Sequence, residues 1–131
     1  ILSEQMAEKY FGDEPAVVQA YTAGLHEGNA EFVVSLFAED GYAREPSGSR
    51  FQYVGPDELW EFYGPALSSG GIMVHHRTAT VDGHACAVEY VCDEWAGVTL
   101  PPQAGLAVYE LATPNKILAA RIYDDVAPPF D

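Results

Sequence analysis

The hydrophobic period of this chain switches once, near Gly70-Gly71, and that switch limits its fold more than any other feature. Before it, apolar residues recur at helical intervals; after it, they alternate as in strands. Leu2, Met6 and Tyr10 or Phe11 mark a short helix over Ile1 to Gly12. Asp13 is placed to cap a second helix, with Pro15 in its first turn and Val17, Val18, Tyr21 and Leu25 as one stripe ending near Gly28. Asn29 caps a third, with Phe32, Val33, Leu36 and Phe37 inside and Ala38-Glu39-Asp40-Gly41 at its end. Tyr42 to Glu45 and Phe51 to Val54 are short strands around a turn at Pro46 to Ser49. Gly55-Pro56-Asp57 opens a further helix striped by Leu59, Trp60, Phe62, Tyr63 and Leu67. Strand-like runs follow at Ile72 to Val81, Ala85 to Cys92, Leu106 to Leu111 and Ile117 to Tyr123. Asp82-Gly83 supplies a hairpin turn, and Thr113-Pro114-Asn115 joins the last two runs. Pro101 and Pro102 are expected to bar a central strand from the link between Asp93 and Gln103.

Helices followed by hairpin-connected strands make an α+β chain, and 131 residues suit one domain. An antiparallel sheet of this length can curve over the helices and leave an apolar cavity between them, the default ligand site in a small domain. With 20 acidic residues against 6 Lys and Arg, the net charge of −14 argues against nucleic acid and anionic membranes as partners. No apolar run approaches the roughly 20 residues that span a bilayer, and no basic-then-apolar leader is read. The expectation is a soluble, cytoplasmic protein. Cys86 and Cys92 make neither a disulfide framework nor a zinc site; their parity suits small inward fillers.

Several residues could carry chemistry. Glu45 lies on an apolar-flanked strand; inside a cavity its carboxylate would lose solvation and become a base, whereas at a strand end it is one surface acid among many. Tyr21 could donate to a developing oxyanion or serve as an amphipathic core residue. Alternation in the last strand puts Ala120, Ile122 and Asp124 on one face and Arg121 and Tyr123 on the other. Asp124 therefore points inward if the strand reaches it. Of His75 and His76, at most one faces the cavity, and no third ligand stands at metal-site spacing. Trp95 is a lid over the opening or an exposed loop aromatic. Ser47 and Ser49 lack the strand–turn–helix setting of a hydrolase nucleophile.

Three stretches, Val17 to Tyr21, Phe37 to Gly41 with Glu45-Pro46, and Gly55 to Tyr63, resemble the ketosteroid-isomerase-like and SnoaL-like branch of the nuclear-transport-factor-2-like superfamily. The likeness runs from about Glu14 to Val126. It implies a curved antiparallel sheet wrapped around N-terminal helices, with a cone-shaped cavity. By the resemblance, Glu45 stands where the isomerases carry their carboxylate base and Tyr21 where they carry the oxyanion tyrosine. Tyr63 matches a pocket tyrosine, and Phe37 replaces another. The isomerases also use an aspartic acid that an apolar site keeps protonated. It is missing here: Gly105 stands in its place, with Gln103 on the same face. Asp124 falls near the acid/base aspartate of SnoaL-like polyketide cyclases.

These residues imply a cyclase or isomerase working on a hydrophobic carbonyl compound, polyketide-like or steroid-like, without metal or organic cofactor. Glu45, Tyr21 and Asp124 are the expected catalytic groups, and Tyr63, Phe37, His76, Gln103, Tyr90 and Trp95 the expected substrate-binding groups. Two other activities fit the same fold. The carboxylates could open an epoxide, although Arg121 is expected to face away from Asp124; or the cavity could only bind a small molecule. The resemblance also implies a homodimer.

Overall fold

In a computed structural model, residues 14–45 and 51–124 are described. The expected first helix, the Asp13 cap and the turn at Pro46 to Ser49 lie outside them. The elements are α1 (Ala16–Glu27), α2 (Ala30–Ser35), β1 (Phe37–Arg44), β2 (Gln52–Val54), α3 (Gly55–Leu67), β3 (Met73–Asp82), β4 (Ala85–Trp95), β5 (Val98–Thr113) and β6 (Lys116–Asp124). Six strands form one curved sheet in the order β2-β1-β6-β5-β4-β3. β1 and β6 run parallel, and every other neighbouring pair is antiparallel.

Local chemistry explains the helix ends. Pro15 occupies the N-cap of α1 without a side-chain cap, and Gly28 closes the helix in the left-handed region at φ 69°. Asn29 caps α2, accepting from the Phe32 backbone N–H at 3.1 Å. At α3 the Glu58 carboxylate, one turn into the helix, reaches back to accept from the Val54 N–H at 3.0 Å. The buried stripes Val17, Val18, Tyr21, Leu25 on α1 and Leu59, Tyr63, Leu67 on α3 pack onto the concave face of the sheet. There they meet Cys86, Val88, Ala107, Tyr109 and Ala120. Burying each large apolar side chain contributes about 1.5–3 kcal/mol, so this layer holds the cavity walls in place.

Two expectations from the sequence are corrected. The third helix does not continue through Phe37 to Gly41; it stops at Ser35, and Phe37 begins β1 opposite Ile117. The Leu36 carbonyl accepts from the Ile117 N–H at 2.8 Å, so sheet pairing overrides the helical period. The turn signal in Ala38-Glu39-Asp40-Gly41 marks an irregularity in β1, where the register slips between Phe37 and Tyr42. A Cβ at Gly41 would stand 2.8 Å from the Ile117 carbonyl oxygen and 2.9 Å from that of Ala38, so only glycine fits.

Nor do Pro101 and Pro102 interrupt the sheet. β4 runs on to Trp95, turns through Ala96-Gly97, and β5 passes through both prolines while lying between β4 and β6. β5 first pairs with β6 at Gly105, opposite Asp124, and its ladder to β4 shifts between Cys92 and Glu94. The prolines therefore sit where the missing N–H interrupts no regular ladder. No helix among the described residues is long and apolar enough to cross a membrane.

Candidate functional site

Between the helices and the concave sheet face lies a cavity of about 210 Å³. Its deep wall comes from regular elements. Tyr21 projects from the middle of α1, Tyr63 from α3, and Tyr109 from the inward face of β5, each less than 5% exposed. The Tyr21 and Tyr63 hydroxyls share a hydrogen bond of 2.6 Å. Tyr21 also packs edge-on against Tyr109, with ring centroids 5.4 Å apart. Burial pushes the Tyr21 phenol up to about 12, offset in part by the bond to Tyr63. Burial raises Tyr63 and Tyr109 well above the ordinary value as well. All three therefore remain protonated donors at neutral pH.

The two carboxylates sit nearer the opening. Glu45 follows the last residue of β1 and accepts from the Tyr53 hydroxyl at 2.6 Å. That bond raises Tyr53 to about 12, because ionised Tyr53 would face the carboxylate. Asp124, at the end of β6, accepts from the Tyr90 hydroxyl. Burial first, and then Asp124, hold Tyr90 far above its ordinary range. Gly105 explains how this pair can form. It is opposite both Tyr90 and Asp124, and a Cβ there would collide with the Tyr90 ring and hydroxyl and with an Asp124 oxygen. The missing side chain is the space in which the two groups meet.

His76 lines the cavity, while His75 is exposed and bonds Asp93 at 3.1 Å. His76 is held from both sides. Its Nδ1 bonds Glu14 Oε2 at 3.0 Å and lies 2.9 Å from Oε1, and its Nε2 lies 3.2 Å from Thr22 Oγ1. Glu14 is only 8% exposed, so this carboxylate is buried against the ring that partners it. The two ring nitrogens are spent on Thr22 of α1 and on Glu14 just before its N-cap, so His76 stitches α1 to β3. His26 adds a second stitch through the Val74 carbonyl at 2.9 Å.

Of the expected site residues, Tyr21, Glu45, Asp124, Tyr63, His76, Gln103, Tyr90 and Trp95 all line this cavity. Phe37 does not: it packs behind Tyr21 and Tyr63, 6.1 and 6.0 Å between ring centroids, because it starts β1. Trp95 belongs to the end of a strand and is 38% exposed beside the opening. Arg121 faces the outer side, bonding Glu110 at 2.9 Å and Tyr42 at 3.0 Å. Arg44 also lines the cavity, beside Glu45, with its guanidinium 4.8 Å over the Tyr123 ring. Sequence reasoning missed Glu14, Thr22, Tyr53 and Tyr109. Alternation along Gln103, Gly105, Ala107 and Tyr109 could have revealed the last; nothing local points to Glu14, which meets His76 only through the fold. Among the described residues, no three His, Cys, Asp or Glu side chains cluster as a metal site.

The sequence profile of the SnoaL-like domain matches residues 18–118. No curated protein matches the chain by sequence. Similar solved structures include an epoxide hydrolase of the LEH-like type from Mycobacterium tuberculosis, at 18% identity and TM-score 0.70, covering 86% of this chain and 82% of that one. A protein of ketosteroid isomerase-like fold from Catenulispora acidiphila, in complex with trimethylamine, has 18% identity and TM-score 0.69 over 83% and 85%. A proposed polyketide cyclase from Sinorhizobium meliloti has 15% identity and TM-score 0.67 over 85% and 96%. At these identities the likeness establishes the fold, not the reaction.

Proposed function

The chain belongs to the SnoaL-like domain family, and we propose that it is an acid–base enzyme of polyketide-cyclase or isomerase type acting on a small hydrophobic carbonyl compound. The observation that carries this reading is the gathering of Tyr21, Glu45 and Asp124 around one largely apolar cavity. In the reaction, Glu45 or Asp124 takes the proton next to the carbonyl, and the Tyr21–Tyr63 pair hydrogen-bonds the oxygen as negative charge grows there. Between them, the two hydroxyls have one proton to spare for a ligand, because one donates to the other. In this reading one carboxylate serves as the base and the other as the acid. Burial of the phenols supports the oxyanion role, because donors fixed in a dry site need no reorganisation as charge develops. The residues in these roles need no cofactor.

The test uses β-tetralone, a compact apolar ketone, incubated with the protein in heavy water. Wild type should speed deuterium incorporation next to the carbonyl, and Glu45→Gln or Asp124→Asn should remove that acceleration while leaving the fold and ligand affinity intact. Full exchange activity in both variants overturns the mechanism. Epoxide opening is less well supported, because Arg121 is tied to Glu110 and Tyr42 on the outer face. The same family reading makes the protein a cytoplasmic homodimer joined through that outer face, where Leu106 and Tyr123 remain exposed. Sedimentation that gives a monomer at micromolar concentration would remove the dimer.

A further inference from the structure

One buried polar group in the cavity has no part in that mechanism. The Tyr109 hydroxyl makes no hydrogen bond with any described residue, although the side chain is only 4% exposed and lines the cavity. Its three phenolic neighbours differ: Tyr21 and Tyr63 bond each other, and Tyr90 bonds Asp124. The hydroxyl is not sealed in the core: it opens onto the cavity, where a ligand can reach its proton. Replacement by phenylalanine would remove that proton alone while keeping the ring that packs against Tyr21.

The position of that hydroxyl defines what it can reach. Tyr109 lies on the same inward face of β5 as Gln103, Gly105 and Ala107, deeper than Gly105 along the strand. Its hydroxyl is close enough to those of Tyr21, Tyr63 and Tyr90 to interact electrostatically with them. Its unused proton and the spare proton of the Tyr21–Tyr63 pair therefore serve the same deep end of the cavity. Tyr109 remains a neutral donor at neutral pH, suited to an acceptor oxygen and unsuited to a cation.

We propose that Tyr109 is a second hydrogen-bond donor to the carbonyl or enolate oxygen of the ligand, acting beside the Tyr21–Tyr63 pair. The ligand is thereby an apolar molecule that enters oxygen-first, with the carbon that loses its proton left nearer the carboxylates. This rests on the cavity being the reaction site, and the experiment separates the two ideas.

The probe is para-nitrophenol, whose phenolate resembles an enolate and absorbs visible light, compared with para-nitrotoluene, which has the same shape without the hydroxyl. Binding of both is measured to wild type, Tyr109→Phe and Tyr21→Phe. Tyr109→Phe should weaken phenolate binding by about tenfold, the effect of one hydrogen bond to a charged oxygen. It should leave para-nitrotoluene binding unchanged and leave thermal stability equal or higher, since no protein partner is lost. Unchanged phenolate affinity in Tyr109→Phe, with a loss in Tyr21→Phe, overturns this inference and leaves the proposed function standing. A stability loss in Tyr109→Phe as large as that in Tyr21→Phe also overturns it, because the hydroxyl would then be structural. Failure of wild type to bind either probe removes both ideas.

Discussion

The deep end of the cavity and its opening are built on different physical terms. At depth, three phenols sit on the middle of α1, α3 and β5, fixed by packing and almost fully buried. Near the opening, two carboxylates and an indole stand at the ends of β1, β6 and β4, where Trp95 is 38% exposed. Neutral donors tolerate a dry, low-dielectric setting, which also strengthens their hydrogen bonds. A carboxylate there would carry a desolvation penalty, which placement toward the opening, with a tyrosine donor for each, avoids. In the proposed mechanism the contrast divides the labour: depth binds oxygen and supplies stability, whereas the strand ends supply proton transfer and can change with little effect on the fold.

Substitutions can separate activity from stability in the two regions. The largest effect is expected near the opening: Glu45→Gln and Asp124→Asn should each slow exchange of β-tetralone by about 10²–10⁴-fold. Their stability in urea should stay within about 0.5 kcal/mol of wild type. A loss of folding in either variant would erase the division of labour. Tyr21→Phe comes next, lowering activity about 10²–10³-fold as an oxyanion donor is removed. Unlike the carboxylate variants, it should also cost about 1 kcal/mol of stability, because Tyr63 loses its buried partner. Equal stability to wild type would show that the hydroxyl pair contributes nothing to the fold.

Gly105→Ala tests the link between the two regions. Its new methyl group must displace Tyr90 or Asp124, so a stability loss of about 1–3 kcal/mol is expected, with weaker proton transfer. A neutral result would mean that the pair can move aside freely. The smallest and slowest effect is alkaline. The Tyr21 phenol stands at about 12 when folded and near its ordinary value of 10 when unfolded. Protonated Tyr21 thus favours the folded state in full below pH about 10, and this contribution declines as pH rises toward about 12. Tyrosinate absorbance and urea melts in that window should show stability falling before the buried phenols ionise. Ionisation of Tyr21 near pH 10 without unfolding would contradict the deep burial.

The order of elements was legible because local signals agreed with the fold. The stripes of α1 and α3, the Asn29 cap and the hairpin turn at Asp82-Gly83 all depend on neighbours in sequence. The inward placement of Asp124 followed from strand alternation, and the placing of Tyr21 and Glu45 from family resemblance. What stayed hidden depended on distant partners. Phe37 reads as helical until Ile117 draws it into a sheet, and the prolines of β5 read as breakers until β6 is seen to end beside Gly105. The Glu14–His76 and Tyr90–Asp124 pairs join residues 62 and 34 positions apart, beyond any local pattern. Gly105 is the instructive case: absence of an acid there looks like a loss in sequence, but in the fold it is what lets Tyr90 reach Asp124.

The decisive experiment is a crystal structure of the protein with β-tetralone bound. The ketone is expected inside the cavity, its oxygen within hydrogen-bond distance of the Tyr21 or Tyr63 hydroxyl and its reactive carbon turned toward Glu45 or Asp124. A ketone bound on the outer face of the sheet, or one with its oxygen toward the opening and no tyrosine contact, would refute the proposed chemistry.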